Sequence, residues 1–120
     1  MSDQQPDLHD SLRKGVRELC QRFPDPYWRE LDARREYPTE FVRTLTEAGY
    51  LAALIPEEYG GAGLSITEAA IILEEINRAG CNSGACHAQM YIMGTLLRHG
   101  SPEQKKRYLA KIASGELRLQ

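Results

Sequence analysis

Apolar residues recur at helical spacing along most of this sequence. Near the N-terminus they stand at i, i+4, i+7 and i+11, on one face of a helix: Leu12, Val16, Leu19 and Phe23. We therefore predict a first helix over residues 7–23, ended by Pro24 and Pro26 because proline cannot continue the hydrogen-bond ladder. Gly15 inside this helix costs roughly 1 kcal/mol relative to alanine, so tertiary packing has to supply its stability.

Capping residues set the bounds of the later helices. Ser65 with Glu68, and Ser101 with Gln104, have the spacing of a capping box, in which each residue satisfies a backbone N–H of the other. Between and beyond these signals, apolar residues again return every three or four positions. Further helices are expected over residues 27–35, 38–48, 65–78, 82 or 83 to 99, and 102–114.

Residues 50–64 lack helical spacing and are predicted to form a structured loop. The segment is apolar at first and then turns at Pro56 and at a glycine-rich run, residues 60–63. A buried apolar loop needs hydrogen-bond partners for its backbone. Glycines can cradle a phosphate, but neither a P-loop pattern nor a strand–GxGxxG–helix context is present. A turn that brings the next helix close is the preferred interpretation.

The most apolar stretch runs from residue 80 to residue 100, with no charged side chain between Arg78 and Arg98. A helix that is apolar nearly all round is usually buried on several sides. This one is too short and too interrupted by polar residues to span a membrane. We therefore predict the buried central helix of a bundle. Four small residues would allow close approach by a neighbouring helix or a ligand: Gly84, Ala85, Ala88 and Gly94.

Length, charge and cysteine content narrow the classes of function. Lys and Arg number 15 against 17 Asp and Glu, and a net charge of −2 gives no electrostatic reason to expect nucleic acid or membrane as a partner. Three irregularly spaced cysteines argue against a disulfide framework and fit a reducing cytoplasm. The N-terminus lacks the basic start and apolar run of a secretory signal. With 120 residues and no convincing strand pattern, one all-α domain is expected.

Polar groups in the central stretch allow two interpretations. A metal site at Cys81, Cys86, His87 and His99 is disfavoured, because this spacing matches no usual zinc pattern and cysteines of this kind are more often buried as small hydrophobes. His87 lies one helical turn from Tyr91. It is interpreted first as a hydrogen-bonded core histidine and second as a polar group at the wall of a cavity.

Charged residues elsewhere are expected to be solvated. The adjacent carboxylates at residues 57–58 and 74–75 are assigned to the surface, with Glu74 and Arg78 able to pair at i, i+4. A basic patch formed by residues 105–107 and Lys111, with Arg98, is interpreted as a solvated helix face, because nucleic-acid binding favours aromatic interleaving and a net positive domain.

Three segments in a fixed order resemble one known family. They are residues 55–64 (IPEEYGGAGL), 100–109 (GSPEQKKRYL) and 112–116 (IASGE). Together they resemble the N-terminal helical domain of the acyl-CoA dehydrogenases, from about residue 7 to residue 120. The resemblance implies an up-and-down bundle of about five to six helices around a buried central helix, over residues 7–115. A disordered tail is expected at residues 1–6, and the start of a missing β domain at residues 116–120.

The resemblance also implies an activity and its partners. The family oxidises an acyl-CoA thioester between its α and β carbons with FAD, passes electrons to a partner such as electron-transfer flavoprotein, and usually forms a homotetramer. Its catalytic carboxylate and most flavin contacts correspond to no position here, so we assign no catalytic or cofactor-binding residue and expect the 120-residue chain to be inactive alone. Oxidases and flavin monooxygenases of the same superfamily stay open, and a cytoplasmic location is expected.

By position, the resemblance offers five residues of the central helix as a wall of the acyl-chain cavity: Cys86, His87, Met90, Tyr91 and Gly94. Tyr91 and His87 are bulky and polar for a channel that takes long straight chains, so a short, branched or polar acyl group is expected.

The alternative is a stand-alone helical interaction domain that has lost catalysis. If the chain is instead an enzyme fragment, the apolar residues 51–55 should be exposed and cause self-association, whereas a natural module should be a monomer or a defined dimer.

Overall fold

The computed structural model describes residues 4–118, with side chains described from residue 7 onward. Within that range the protein is all-α, with no strand. Six helices follow one another: α1 (Gln4–Cys20), α2 (Asp25–Arg34), α3 (Thr39–Glu47), α4 (Ile66–Arg78), α5 (Gly84–His99) and α6 (Pro102–Ser114). The predicted all-α class and helix number are confirmed. Among these helices, none has both the length and the apolar content needed to cross a bilayer.

The first helix differs from its predicted bounds at both ends. It begins at Gln4, so residues 4–6 of the predicted disordered tail are helical, while residues 1–3 lie outside the described residues. It ends at Cys20 rather than at Phe23. The N–H of Phe23 instead donates to the Cys20 carbonyl oxygen at 2.9 Å, three residues back, which closes a tight turn ahead of the prolines.

Both predicted capping boxes are present. At the start of α4, the Ser65 N–H and hydroxyl donate to the Glu68 carboxylate at 3.3 and 2.8 Å. At the start of α6, the Gln104 N–H donates to the Ser101 hydroxyl oxygen at 3.1 Å, and the Ser101 N–H donates to the Gln104 side-chain oxygen at 2.9 Å. Such caps satisfy N–H groups that have no partner inside the helix.

The connection between α3 and α4 is a closed turn that contains two 3₁₀ helices, Tyr50–Ala52 and Glu57–Tyr59. The N–H groups of residues 61–64 all donate to carbonyl oxygens of residues 52–56, at 2.8–3.2 Å. Gly61 approaches Ile55 so closely that a Cβ there would collide with the Ile55 carbonyl. The preferred interpretation of this segment as a tight turn is therefore confirmed.

The apolar half of this turn is buried inside the domain. Leu51, Ala52, Ala53 and Ile55 are all core residues, and Leu54 is half-buried. The expectation that residues 51–55 lie exposed is wrong, because the chain folds its own helices over them. Self-association therefore cannot be inferred from this segment.

Two apolar clusters make up the core. The first joins α1, α3 and α4 and includes Val16, Phe41, Leu45, Ile72 and Ile76. The second joins α5, α6 and the turn, and includes Ile55, Met93, Leu109 and Ile112. The domain measures 43 × 37 × 19 Å. Since a helix with its side chains is about 10 Å across, the short dimension holds about two layers of helices.

This flat shape explains why α5 is not buried on several sides as predicted. One side is in the core, with Cys86, Gln89, Met90 and Met93 buried. The opposite side is open, with His87, Tyr91 and Thr95 exposed. A two-layer domain covers a helix from one side only. The apolar sequence of residues 80–100 therefore predicted a helix here correctly, but it did not predict that one side of this helix is exposed.

Glu75 on α4 is buried at the α1–α4 interface, contrary to the prediction of a solvated surface pair. Its carboxylate accepts hydrogen bonds from Arg13 and Arg17 of α1 at 3.2 Å each, and Arg78 lies 3.8 Å away. Burial alone would raise the pKa of Glu75, but the hydrogen bonds from Arg17 and Arg13 outweigh it and hold that pKa below its ordinary value. Arg13 also takes Glu74 as a partner at 2.8 Å, replacing the predicted Glu74–Arg78 pair.

Residues 116–118, predicted to begin an extended segment, fold back against α6 and α3 instead. The Leu117 N–H donates to the Lys111 carbonyl oxygen at 3.0 Å, and Leu117 packs on the second cluster. The Arg118 guanidinium donates to the Thr46 hydroxyl oxygen at 3.2 Å. Residues 119 and 120 lie outside the described residues.

Candidate functional site

An open apolar depression runs between α4, α5 and the turn that precedes α4, and we call it the α4–α5 groove. It consists of two adjoining arms that share four lining residues: Leu54, Ile66, Met90 and Tyr91. The inner arm, of about 200 Å³, adds Ala69, Ala70, Leu73 and His87. The outer arm, of about 290 Å³, adds Gly94, Thr95, Arg98 and His99.

Two exposed side chains with large apolar surface, one from each helix, line this groove. Ile66, the first residue of α4, is 75% exposed, and Tyr91 of α5 is 56% exposed. They are the most exposed large hydrophobic residues among those described, and both line both arms. Exposed apolar surface gathered in one concave place is typical of a binding site. Ile66 was not among the predicted site residues, since its position after a helix cap suggested only a helix start.

His87 and Tyr91 form one wall of the inner arm. Their rings lie one turn apart on α5, with centroids 5.2 Å apart and planes at 63°, an edge-to-face contact. The first interpretation of His87, as a core histidine, is wrong because the residue is exposed. Its position matches the second interpretation, a polar group at the wall of a cavity.

Tyr91 also lines a second depression, the α5–α6 groove, of about 430 Å³. This second groove is lined by Ile92 and Leu96 of α5 and by Gln104 and Tyr108 of α6. Three side chains of α5 line both this groove and the outer arm: Tyr91, Thr95 and His99. Tyr91 is the largest of the three, so a smaller side chain at this position would widen both grooves.

Gly94 has no packing reason to be a glycine within the described structure. A Cβ at this position would have nothing within 4 Å. At Gly15, by contrast, a Cβ would collide with the Tyr50 hydroxyl, so that side chain would have to shift to admit one. A glycine inside a helix costs about 0.5–1 kcal/mol relative to alanine. The space that Gly94 leaves is part of the outer arm.

Cys86 lies behind the groove rather than in it. It is 1% exposed and belongs to the first core cluster, beside Met90 in the same cluster. Burial raises the pKa of Cys86 to about 12, as it does for Cys20, so both thiols stay protonated and unreactive. The prediction that the cysteines act as buried hydrophobes is confirmed.

The four residues considered for a metal site are not brought together. Cys81 and Cys86 are buried in the core, whereas His87 and His99 are exposed on α5. Across residues 4–118, no group of three or more His, Cys, Asp or Glu side chains is arranged to hold a metal ion.

The glycine-rich turn does not fit a flavin phosphate. The N–H groups of residues 60–64 all donate to carbonyl oxygens within residues 52–57. A phosphate cradle needs several free N–H groups that point at the ligand. This turn offers none, so the chemistry of its donors supports a structural role.

The sequence comparison establishes the family. Residues 6–116 match the family model described as acyl-CoA dehydrogenase, N-terminal domain, and the chain belongs to this family.

The named relatives include acyl-CoA dehydrogenases and a reductase. The mitochondrial short-chain specific acyl-CoA dehydrogenase of Mus musculus is 33% identical over 114 residues, which cover 92% of this chain and 27% of the relative. The probable acyl-CoA dehydrogenase FadE25 of Mycobacterium tuberculosis is 34% identical, over 91% of this chain and 28% of the relative. A 3-(aryl)acrylate reductase of Clostridium sporogenes is 34% identical, over 92% and 30%. The chain thus spans less than a third of the length of these relatives.

Solved structures share the fold. A chain of the steroid ACAD Tcur3481-Tcur3483 superposes with a TM-score of 0.64 and 31% identity, over 94% of this chain and 30% of that one. A structure described as the electron transferring flavoprotein of Acidaminococcus fermentans gives a TM-score of 0.75 at 26% identity, over 89% and 29%.

Proposed function

We propose that this chain forms a wall of the acyl-chain pocket in an FAD-dependent acyl-CoA dehydrogenase, which oxidises an acyl-CoA thioester between its α and β carbons. The observation that supports this most directly is the α4–α5 groove. It is open and apolar, and four of the five residues offered by the family resemblance line it: His87, Met90, Tyr91 and Gly94. Relatives named as acyl-CoA dehydrogenases, at 33–34% identity, support the same assignment.

Each residue has a physical role in this proposal. Met90 forms the floor, because its flexible thioether adapts to apolar chains of different shape. Gly94 leaves room in the outer arm, and Tyr91 limits the length of chain that fits. Cys86 supports Met90 from the core. No described side chain is assigned a proton transfer or a flavin contact, so the chain by itself should be inactive.

The substrate in this proposal is a short, branched or polar acyl group. The rings of Tyr91 and His87 narrow the inner arm, which disfavours a bulky apolar tail and favours a short or polar group. One relative is named for short-chain substrates, which agrees with a short acyl group.

The proposed enzyme works with partners. Electron-transfer flavoprotein as electron acceptor agrees with the description of the structural neighbour from Acidaminococcus fermentans. A homotetramer is the proposed assembly of the complete enzyme. A cytoplasmic location stays a prediction, since the relatives include a mitochondrial enzyme and bacterial proteins.

An absorption spectrum tests whether this chain binds FAD by itself. The purified chain is mixed with FAD, passed through a desalting column and scanned in the visible range. We expect no retained flavin, and no turnover of butyryl-CoA with an artificial electron acceptor. Stoichiometric retained flavin would contradict the proposal, because these helices would then build a cofactor site of their own.

One observation favours a second candidate, a helical interaction domain. His87, Tyr91, Thr95 and His99 form an exposed row at i, i+4, i+8 and i+12 on α5, with a groove on each side. Helices pack by inserting such rows into grooves of a partner. Sedimentation equilibrium distinguishes the two functions: a defined dimer that dissociates in Tyr91→Ala favours the interaction domain, and a monomer favours the enzyme wall.

A further inference from the structure

The two arms of the α4–α5 groove differ in charge. The inner arm is apolar apart from His87, whereas the outer arm ends at Arg98 and His99. Among the described residues that line either arm there is no Asp or Glu. A ligand that fills both arms therefore meets an apolar surface at one end and a cationic surface at the other.

Arg98 has no carboxylate partner within residues 4–118. Five of the eleven arginines there form ion pairs, namely Arg13, Arg17, Arg34, Arg43 and Arg78, and Arg98 is one of the six that do not. A basic residue in the last turn of a helix is favourable because of the helix dipole, which accounts for a cation near the end of α5. The dipole does not account for the position of Arg98 on the rim of an apolar groove.

The hydroxyl of Thr95 cannot replace Arg98 as a donor to a ligand. It donates to the Tyr91 carbonyl oxygen at 2.9 Å, one turn back along α5. The guanidinium of Arg98 thus supplies the permanent positive charge of the outer arm. One guanidinium matches the charge and the planar, two-oxygen geometry of one carboxylate.

We propose that the α4–α5 groove takes an apolar chain that ends in a carboxylate, with the carboxylate at Arg98 and the chain lying over Met90 towards the inner arm. This inference rests on the proposed function for the identity of the chain as an acyl group. It then specifies that group: its far end carries a negative charge rather than a methyl group.

Ligand titration of the 120-residue chain, followed by ¹⁵N–¹H correlation spectra, tests the inference. The probes are octanoate and 1-octanol, which differ only in the head group. Both should shift amides near Ile66, Met90 and Gly94, and octanoate should also shift those near Arg98. We expect octanoate to bind roughly three times more tightly, the scale of a solvent-exposed charge contact. This preference should shrink at about 0.5 M NaCl, because salt screens exposed charges.

Two matched variants locate the preference. Arg98→Gln should bind both probes equally, with its affinity for 1-octanol unchanged. Arg107→Gln is the control, because Arg107 lies over the Tyr108 ring on α6 at 5.3 Å and lines neither arm. That variant should keep the preference for octanoate.

Two results would overturn the inference, and only the second would also count against the proposed function. Equal binding of the two probes by the unchanged protein, or a preference that survives Arg98→Gln, would refute the anionic end and leave the apolar wall intact. If neither probe shifts residues of the groove, both the inference and the proposed function lose their support.

Discussion

Helix α4 separates two regions that are built on opposite principles. On one side, the α1–α4 interface buries a charge and pairs it: Oε1 of Glu75 accepts from Arg13 and Arg17 at 3.2 Å each, while Oε2 has no hydrogen-bond partner among the described residues. On the other side, the α4–α5 groove leaves apolar surface in contact with water, at Ile66 and Tyr91. The same domain packs α4 against α1 closely enough to bury a charged carboxylate. A general lack of close packing therefore does not explain why the apolar surface of the groove stays open.

This comparison distinguishes the residues that stabilise the fold from the residues that remain available to contact a ligand. Beside Glu75 and its arginine partners, the α1–α4 interface is closed by four apolar core residues: Val16, Leu19, Ile72 and Ile76. Most of the residues that line the groove are only partly covered, with Ala69 and Met90 as the buried exceptions. One of them, Gly94, has empty space where a side chain could stand. The interface is therefore expected to govern stability, and the groove to govern ligand binding.

The largest effect on stability is expected from Gly61→Ala in the turn that positions Leu54 at the groove. The added methyl would collide with the Ile55 carbonyl, and backbone cannot move aside as a flexible side chain can. We expect a loss of at least about 3 kcal/mol in the free energy of unfolding, measured with urea. A variant as stable as the original would show that the turn is not closed as described.

Glu75→Gln should cost less, about 2 kcal/mol, because it removes the buried negative charge that pairs with Arg13 and Arg17, while the amide oxygen can still accept and water still reaches both arginines. The matched control is Glu74→Gln, since that side chain is 57% exposed and bonds the same Arg13. The control should lose less than about 0.5 kcal/mol. Equal losses in the two variants would contradict the assignment of Glu75 as the buried member.

The same carboxylate gives a pH dependence. Its pKa is lowered in the folded state, so its contribution is complete above the ordinary glutamate pKa of 4.5 and is lost as pH falls through the folded value. Thermal unfolding between about pH 6 and 3 should therefore show a decline in melting temperature that is shallower in Glu75→Gln. Parallel curves for the two proteins would exclude this role.

Gly94→Ala should act in the opposite direction. The methyl enters empty space in mid-helix, so stability should rise by about 0.5–1 kcal/mol. The same methyl narrows the outer arm, so the affinity for 1-octanol should fall. A gain in stability without any loss of affinity would mean that the outer arm is not used.

Helix positions and caps could be predicted from sequence because they depend on residues within four positions of each other. The Ser65–Glu68 and Ser101–Gln104 boxes are such local signals, and the structure confirms both. The tight turn of residues 60–63 is also local, since only glycine permits its close approach to Ile55.

Other features depend on contacts that no local pattern contains. The burial of Glu75 depends on contacts with α1, and its partners there lie about sixty residues earlier in the chain. The apolar loop at residues 51–55 is covered by distant helices of the same domain. The hydrophobicity of α5 indicates that its surface avoids water, but it does not say which sides the domain covers. Met90, Tyr91 and Gly94 were found through the family resemblance, whereas Ile66 and Arg98 required the structure.

The most direct test of the account is the acyl-chain profile of the complete enzyme with Tyr91→Ala. Removing the Tyr91 ring enlarges the groove, so the optimum of kcat/KM should shift towards longer acyl-CoA chains, with little change in the melting temperature. Tyr37→Ala is the matched control, since Tyr37 is another exposed tyrosine and lines a different depression, with Pro38 and Asn82. A longer optimum in Tyr91→Ala alone is the predicted result, and a profile unchanged by that substitution would contradict the assignment of α5 as the acyl-chain wall.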